Sequence, residues 1–250
     1  ITCRDWSSDV CSSDLTKVSG PLHIDGNLAK TIWQNAIPVT NFRQSEPAEG
    51  AEPTELTKVA VLYDTHNIYF GVWCFDSQPD KLSAKQMTRD FEWGSDDDIE
   101  IMISPFNDNR NGYLFVTNPN GAMADSWLGG DGGRHNTDWN GVWNVRVTRD
   151  EKGWFAEFAI PFSTLKFKKD EIQTWSVNFE RNIRRKNEQV RWQGWSRQYG
   201  IENITQSGKL EGLRNIRQKE RLEITPYITT GLEWESDKPK GSLKAGGEIN

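Results

Sequence analysis

The sequence has little of what several classes of protein and several kinds of site require. It holds three cysteines, three methionines and three histidines among 250 residues. No run approaches the ~20 apolar residues that a membrane-spanning helix needs. The net charge of -6 argues against a nucleic-acid partner, because phosphate binding needs a basic surface. There is no Ser-His-Asp order, metal-ligand histidine spacing or nucleotide-binding glycine motif, so catalysis by this segment has little support.

The first residues resemble a sequencing artefact. Residues 5–15 read DWSSDVCSSDL, which has no hydrophobic period and matches the translation of a common sequencing-library adapter at all eleven positions. We therefore exclude residues 1–15 from fold prediction and expect them to be disordered and to pack against nothing. Cys11 lies inside this string and Cys3 just ahead of it. Cys74 is the remaining cysteine, so no disulfide framework is expected.

From Pro21 onwards the chain is punctuated like an all-β protein. Short alternating runs stand between clusters of Gly, Pro, Asn and Asp, and the clearest hairpin joins residues 57–63 to 68–75. One short helix is expected within residues 27–35. About eight or nine strands predict an antiparallel, jelly-roll-like β-sandwich. The alternation predicts one shared core made of Val59, Val61, Ile68, Phe70, Ile101, Phe115, Trp154, Phe158 and Phe179.

Two later segments differ from this pattern. Residues 121–139 are Gly-rich and acidic, so we expect an irregular loop, which is where binding residues often lie. In the tail, alternating runs at 224–234 and 242–250 flank a turn. Such strands are typical of the opening hairpin of a barrel, and an exposed hairpin of the same sandwich is the alternative. The predicted domains are the artefact at 1–15, the sandwich at 18–212 and a truncated barrel-like start at 213–250.

A series of motifs carries a family resemblance. In order, they are Ile24-Asp25-Gly26 followed by Trp33; residues 61–64 (VLYD) followed by 68–70 (IYF); 96–101 (DDDIEI); 112–115 (GYLF) with 118–121 (NPNG); 153–162 (GWFAEFAIPF); and 175–179 (WSVNF) with Arg181. Together, over about residues 20–200, they resemble a family 9-like carbohydrate-binding module. Residues 221–227 are similar, more loosely, to the start of an outer-membrane-like β-barrel that follows this module in some bacterial proteins.

The resemblance implies a calcium-containing β-sandwich that binds a polysaccharide or oligosaccharide without catalysis. Modules of this kind often accompany glycoside hydrolases and carbohydrate catabolism, so a longer chain could belong to an O-glycosyl hydrolase. It also implies an extracytoplasmic location, in the periplasm, the outer membrane or on the cell surface.

The resemblance also implies a sugar site. In the family a sugar ring lies between two tryptophans with an acid and an amide beneath, and Trp93, Glu100, Asn118 and Trp192 occupy matching positions by motif order. Aromatic rings suit this role because they stack on the apolar faces of sugars, while planar polar groups bind hydroxyls. Trp195 is the alternative to Trp192, and either could be a core residue.

Clustered acids raise the possibility of calcium, which prefers six to eight oxygen ligands. Asp96, Asp97 and Asp98 form a triplet, and Asp125 is the expected fourth ligand; Asp131 and Asp138 in the Gly-rich segment are further candidates. A solvated acidic turn is the alternative. The family often has Asp where this chain has Ser104, which weakens a ligand assignment there.

Two other functions stay open at this point. One is a structural or docking domain for an outer-membrane barrel. The other is a haem-binding sandwich, because related sandwiches hold haem through Met with His or Lys. The candidate haem ligands are Met87, Met102, Met123, His23, His66 and His135.

Overall fold

The computed structural model describes residues 12–13, 15–106, 108–129, 134–217, 224–235 and 238–249. The chain divides into two compact units, Ile1–Gln218 and Lys219–Asn250. Among the described residues, no helix has both the length and the apolar character needed to cross a membrane.

The elements of the first unit are nearly all strands. They are β1 (Ser12–Ser13), β2 (Thr16–Lys17), α1 (Thr31–Gln34), β3 (Arg43–Glu46), β4 (Thr57–Tyr63), β5 (Asn67–Phe75), β6 (Asp98–Ser104), β7 (Gly112–Thr117), β8 (Met123–Gly129), β9 (Arg134–Asn136), β10 (Asn144–Asp150), β11 (Gly153–Pro161), β12 (Ile172–Ile183), β13 (Glu188–Arg191) and β14 (Gly208–Arg214). Short 3-10 turns lie at Pro79–Lys81, Arg184–Lys186 and Ile204–Gln206.

These strands form two sheets. The larger has the order β1-β14-β12-β6-β7-β8-β9, with β13 pairing with β12 and β3 pairing with β13. The smaller has the order β10-β11-β5-β4-β2. The long neighbours pair in antiparallel fashion, and only the two-residue β1 and β2 pair in parallel with theirs. The predicted antiparallel β-sandwich is confirmed, including the hairpin of β4 and β5.

The main core lies between the two sheets. All nine predicted core residues belong to this single cluster, as their period-two alternation requires. Aromatic rings join the sheets: Phe70 meets Phe179 edge to face at 6.0 Å between ring centroids. Trp143, just before β10, lies between them in the same way, 5.4 Å from Phe115 of the larger sheet and stacked at 5.7 Å on Phe158 of the smaller one. The inner face of each sheet is therefore the face that this core covers.

A buried carboxylate secures the outer face of the smaller sheet. Glu157 of β11 accepts hydrogen bonds from the backbone amides of Asp25 (2.8 Å) and Gly26 (3.0 Å) and from the indole Nε1 of Trp33 in α1 (2.8 Å). Lys30 Nζ lies 3.0 Å from the same carboxylate. The 24–26 motif, Trp33 and the 153–162 motif are thus parts of one structural contact, although the sequence separates them by more than 120 residues.

Three expectations about local structure are corrected. Ser12 and Ser13 pair with β14, and Leu15 packs against the main core, so the expectation that residues 1–15 pack against nothing is wrong for these residues. Residues 1–11 and 14, with Cys3 and Cys11, lie outside the described part of the chain. The Gly-rich segment is not one irregular loop, because β8 pairs with β7 over six positions and with β9 over three. The expected helix shortens to the four residues of α1.

The second unit contains one long hairpin. β15 (Ile224–Glu235) and β16 (Lys238–Ile249) pair in antiparallel register at twelve positions. Tyr227, Ile228 and Leu243 are among its exposed side chains. A strand pair was expected here, and it extends further than the predicted runs.

Candidate functional site

A cleft beside Trp93 has a partly exposed aromatic wall. Its volume is about 580 Å³. The lining residues are Asp90, Phe91, Glu92, Trp93, Asp125, Thr137, Asp138 and Asn140. We call this feature the Trp93 cleft. It lies where the loop before β6 passes β8, since the Asp90 amide donates to the Met123 carbonyl oxygen at 2.7 Å.

Trp93 lies on the outer side of the larger sheet. Its indole is partly exposed and packs against a small apolar cluster on that face, which includes Phe91, Met102 and Leu114. Its ring centroid is 6.2 Å from that of His135. Four other tryptophans, Trp33, Trp154, Trp175 and Trp192, are fully buried. Unlike these four buried indoles, the Trp93 ring therefore has surface that a ligand can contact.

The three consecutive aspartates hold the loop that carries Trp93. Asp96 Oδ2 accepts hydrogen bonds from the amides of Lys85 and Gln86, each at 2.8 Å. Asp98 Oδ2 accepts one from the amide of Gly94 at 3.1 Å. Gly94 has φ +93°, a conformation that side chains disfavour, so glycine suits this position directly after the indole.

Asp97 completes this anchoring on the other side. Its Oδ1 accepts a hydrogen bond from the Arg184 amide at 2.7 Å, and its Oδ2 accepts one from the Ser83 amide at 3.3 Å. Burial raises the pKa of the Asp97 carboxyl, and the two amide hydrogen bonds act in the opposite direction. The triplet therefore works as a set of backbone anchors around the loop at residues 83–94.

The structure does not bring all four predicted calcium ligands together. Asp98 points to the outer face of the larger sheet, whereas Asp125 lies on the inner side, opposite Phe115 in the register of β7 and β8. Asp125 is also occupied, because Arg89 forms an ion pair with it and Trp143 Nε1 donates to it at 2.8 Å. The structure thus places these two acids on opposite faces of the larger sheet, and their joint role as calcium ligands stays a prediction.

No group of three or more His, Cys, Asp or Glu residues that could hold a metal occurs in the described part of the chain. Asp131 lies outside it, and Asp138 lines the Trp93 cleft. One feature still favours a cation: Asp96 Oδ1 is buried and has no hydrogen-bond partner. Calcium binding through a smaller set that includes Asp96 stays a prediction.

The predicted sugar ligands separate into three environments. Glu100 lies on the outer face and is only 5% exposed. Asn118 is fully buried; its Nδ2 donates to Asp96 Oδ2 at 3.0 Å and its Oδ1 accepts from the Ala122 amide at 3.0 Å. Asn118 thus shapes the turn after β7, and its role in a sugar site stays a prediction.

Trp192 lies in the main core. It is 2% exposed and packs on Phe179, at 5.4 Å between centroids, while its Nε1 donates to Asn41 Oδ1 at 2.9 Å. The structure therefore offers its ring little open surface, and its role in a sugar site stays a prediction. Trp195, the alternative, is partly buried, and a Cβ on Gly50 would lie 3.1 Å from its ring.

Glu100 belongs to a row of buried acids on the outer face. It stands directly opposite Glu180 of β12, and Asn182 Nδ2 donates both to Asp98 Oδ1 (2.7 Å) and to Glu100 Oε1 (3.2 Å). Arg191 pairs with Glu180, its Nε donating at 2.6 Å. Few cationic side chains therefore neutralise the charges of Asp98, Glu100 and Glu180.

The electrostatic consequence is a strong preference for protonation. Burial raises the pKa of Asp98 to about 7. Burial, followed by the charges of Glu180 and Asp98, raises the pKa of Glu100 well above its usual range. Burial also raises the pKa of Glu180, although Arg191 opposes the shift. These shifts favour the protonated form of Glu100, which, unlike the carboxylate, can donate a hydrogen bond.

Several cleft residues were missed by sequence analysis. Glu92, Asp90 and Phe91 flank Trp93, and their position beside an exposed indole was the available signal. Thr137 lies in the segment 121–139 that was expected to be a binding loop and Asn140 directly follows it, but no spacing singled them out.

Comparison with known proteins gives a family and a fold. The family model described as "Carbohydrate family 9 binding domain-like" matches residues 24–211. A carbohydrate binding module family 9 from Caldicellulosiruptor kristjanssonii, solved in complex with glucose, is 15% identical with a TM-score of 0.52, over 83% of this chain and 97% of that chain. The same module in complex with cellotriose is 15% identical with a TM-score of 0.52, over 83% and 93%.

A further similar structure is a protein from Bacteroides uniformis ATCC 8492 with a proposed carbohydrate-binding function. It is 13% identical with a TM-score of 0.62, over 80% of this chain and 98% of that chain. At these identities the likeness shows the fold. No curated protein matches the chain.

Proposed function

The chain belongs to the carbohydrate family 9 binding domain-like family, and from this premise we propose that it binds carbohydrate, without catalysis, in the Trp93 cleft. The solved neighbours from C. kristjanssonii were crystallised with glucose and cellotriose, which supports a sugar as the ligand class. The single observation that carries the location is the partly exposed indole of Trp93 in the cleft wall.

The cleft has the chemical groups that sugar binding requires. The indole offers an apolar face for the C–H surface of a pyranose ring, worth about 1 kcal/mol by analogy with aromatic pairs. Thr137, Asn140 and the carboxylates offer hydrogen-bonding partners for hydroxyls. The volume of about 580 Å³ lies within the usual range of small-ligand sites.

The proposal differs from the predicted site in one respect. With Trp192 in the core, the second aromatic wall is not supplied by that residue. The sugar therefore stacks on one indole and meets acids and an amide around it. Glu100 lies on the same outer face, directly opposite Val116 of the apolar cluster against which Trp93 packs.

Calorimetric titration with soluble oligosaccharides, together with retention of the protein on insoluble polysaccharides, tests this proposal. Trp93→Ala should weaken binding by ~1–3 kcal/mol, or roughly 5- to 150-fold, because it removes the aromatic anchor. Trp73→Ala is the matched control: Trp73 lies on β5 in the smaller sheet, is also partly exposed, and does not line the cleft.

The outcomes separate the alternatives. Equal binding by Trp93→Ala and wild type would move the sugar site elsewhere. Unfolding of Trp93→Ala, together with no glycan bound by wild type, would favour the docking-domain function instead. A visible absorption spectrum of the purified protein tests the haem alternative, and a Soret band would support it.

We also propose that the second unit begins an outer-membrane-like β-barrel and that the protein is extracytoplasmic. The support is the length of the hairpin: its twelve-residue strands exceed the 9–11 residues that a membrane-spanning β-strand needs. Ile228 and Leu243 are each 73% exposed, so the hairpin leaves apolar side chains uncovered.

Cell fractionation tests this second proposal. Antibodies raised against the sandwich should detect the natural protein in the outer-membrane fraction of the source cells. Recovery in the soluble cytoplasmic fraction alone would contradict it.

A further inference from the structure

We infer that the Trp93 cleft selects a cationic amino sugar, a hexosamine with a free protonated amine, over a neutral hexose. This inference rests on the proposed function, because it concerns the specificity of the same cleft. It follows from the balance of charge around the indole.

The cleft is lined by four carboxylates and by no cationic side chain among the described lining residues, which are Asp90, Phe91, Glu92, Trp93, Asp125, Thr137, Asp138 and Asn140. Carboxylates can accept hydrogen bonds from the hydroxyls of any sugar, but unneutralised ones attract an ammonium group in addition. The question is how many of these carboxylates are neutralised by their neighbours.

Arg89 neutralises one of them. Its guanidinium forms an ion pair with Asp125, whose side chain is fully buried, and the same group donates to the Gly141 carbonyl oxygen at 3.0 Å. Its Nε donates to Asn140 Oδ1 at 3.1 Å and lies 3.8 Å from Asp90 Oδ1. The guanidinium is therefore held on the Asp125 side, with only a long contact to Asp90.

Two other carboxylates of the cleft, those of Glu92 and Asp138, are not neutralised by Arg89. Both side chains are exposed, and neither forms an ion pair with another residue in the part of the chain that the structure describes. The four carboxylates outnumber the two groups nearby that can carry positive charge, the guanidinium of Arg89 and the imidazole of His135, whose ring centroid lies 6.2 Å from that of Trp93. The cleft thus presents free carboxylates around one aromatic face.

An ammonium group suits this arrangement in two ways. Carboxylates attract it, and the effect is screened by salt because the cleft is open to solvent. The negative face of an indole attracts cations as well. A hexosamine keeps the C–H faces that stack on tryptophan and adds the positive charge at C2.

Two trisaccharides of β-1,4-linked glucopyranose rings provide the test, since they differ only at C2. Cellotriose carries hydroxyls there, and the glucosamine trisaccharide carries amines, which are protonated at mildly acidic pH. Calorimetry at low and high salt should show the wild-type protein binding the amino trisaccharide at least fivefold more tightly at low salt. That preference should fall below twofold in 0.5 M salt.

The control must separate the cleft from the overall charge of -6, which attracts any polycation. In the double variant Glu92→Gln/Asp138→Asn the preference at low salt should fall at least threefold. The matched double variant Glu151→Gln/Glu171→Gln removes the same charge from two exposed acids outside the cleft. It should keep the wild-type preference.

Three results would overturn the inference. Equal or tighter binding of cellotriose by wild type would refute the selection while leaving the proposed function intact. An equal loss of preference in both double variants would assign the effect to general charge. Binding of neither trisaccharide would overturn the inference, whereas the proposed function would fall only if none of the other oligosaccharides and polysaccharides bound either.

Discussion

Replacement of Glu157 by Gln tests the contact that joins the N-terminal segment to the smaller sheet. The Glu157 side chain is fully buried. Its two oxygens accept from two backbone amides, from the Trp33 indole and from Lys30 Nζ. Glutamine has nearly the same shape, so the change removes charge and one acceptor without creating a cavity.

The magnitude follows from the number of donors that lose their acceptor. Hydrogen bonds to a charged group contribute about 1.5–3 kcal/mol each, and a buried donor left unpaired costs a similar amount. Glutamine retains one oxygen, but its NH₂ group replaces the other oxygen and cannot accept a hydrogen bond. About two of the contacts to the carboxylate are therefore lost. We therefore expect the free energy of unfolding to fall by ~3–5 kcal/mol.

Urea unfolding followed by tryptophan fluorescence measures this change through the midpoint and slope. For a domain of this size the loss corresponds to a melting temperature lower by roughly 6–20 °C. Glu151→Gln, at an exposed turn position, is the control and should change stability little. A loss below about 1 kcal/mol for Glu157→Gln would refute the reasoning, since it would mean that the donors find other partners at no cost.

Two more predictions concern the acids around β6. Because the pKa of Asp98 is raised to about 7 and that of Glu100 further above its usual range, the folded protein binds more protons than the unfolded chain above about pH 4. The free energy of unfolding of the wild-type protein should then decrease as the pH rises from about 4 through 7. Glu100→Gln should flatten this decrease and raise the melting temperature at pH 8. A variant less stable than wild type at pH 8 would contradict this prediction. For calcium, EDTA should lower the melting temperature and Asp96→Asn should abolish the difference, because a ligand bound only to the native state stabilises it. Identical melting curves with and without EDTA would leave the Asp96 carboxylate as a backbone anchor alone.

The fold was predictable because the strands alternate clearly. Ile101 and Phe179 lie in runs where one phase is apolar throughout, and the two residues pair across β6 and β12 on the core side. The region of β8 was missed since its alternation is weak: Asp125 lies in the phase that faces the core, next to glycines and polar residues. Its carboxylate is tolerated there because Arg89 and Trp143 bind it.

The site was only partly predictable, because the face of the sheet to which a side chain points depends on its exact position along the strand. Motif order places a residue near a position but does not fix which face of a strand it occupies. Trp192 follows β13 directly, where its backbone amide donates to the Phe179 carbonyl oxygen, and its ring enters the core. Trp93 follows a loop whose course is set by long-range hydrogen bonds, which no local pattern reveals.

The acid triplet explains why an exposed indole can be held firmly. A loop that offers an aromatic face to a ligand loses binding free energy if the loop must be ordered on binding. Here Asp96 and Asp98 accept hydrogen bonds from backbone amides at both ends of the loop, and Asp97 ties it to the residues after β12. Carboxylates suit this task because each can accept several N–H groups at once. Asp96, Asp97 and Asp98, which by sequence look most like metal ligands, thus fix the position of Trp93 in the wall of the cleft that we propose as the sugar site.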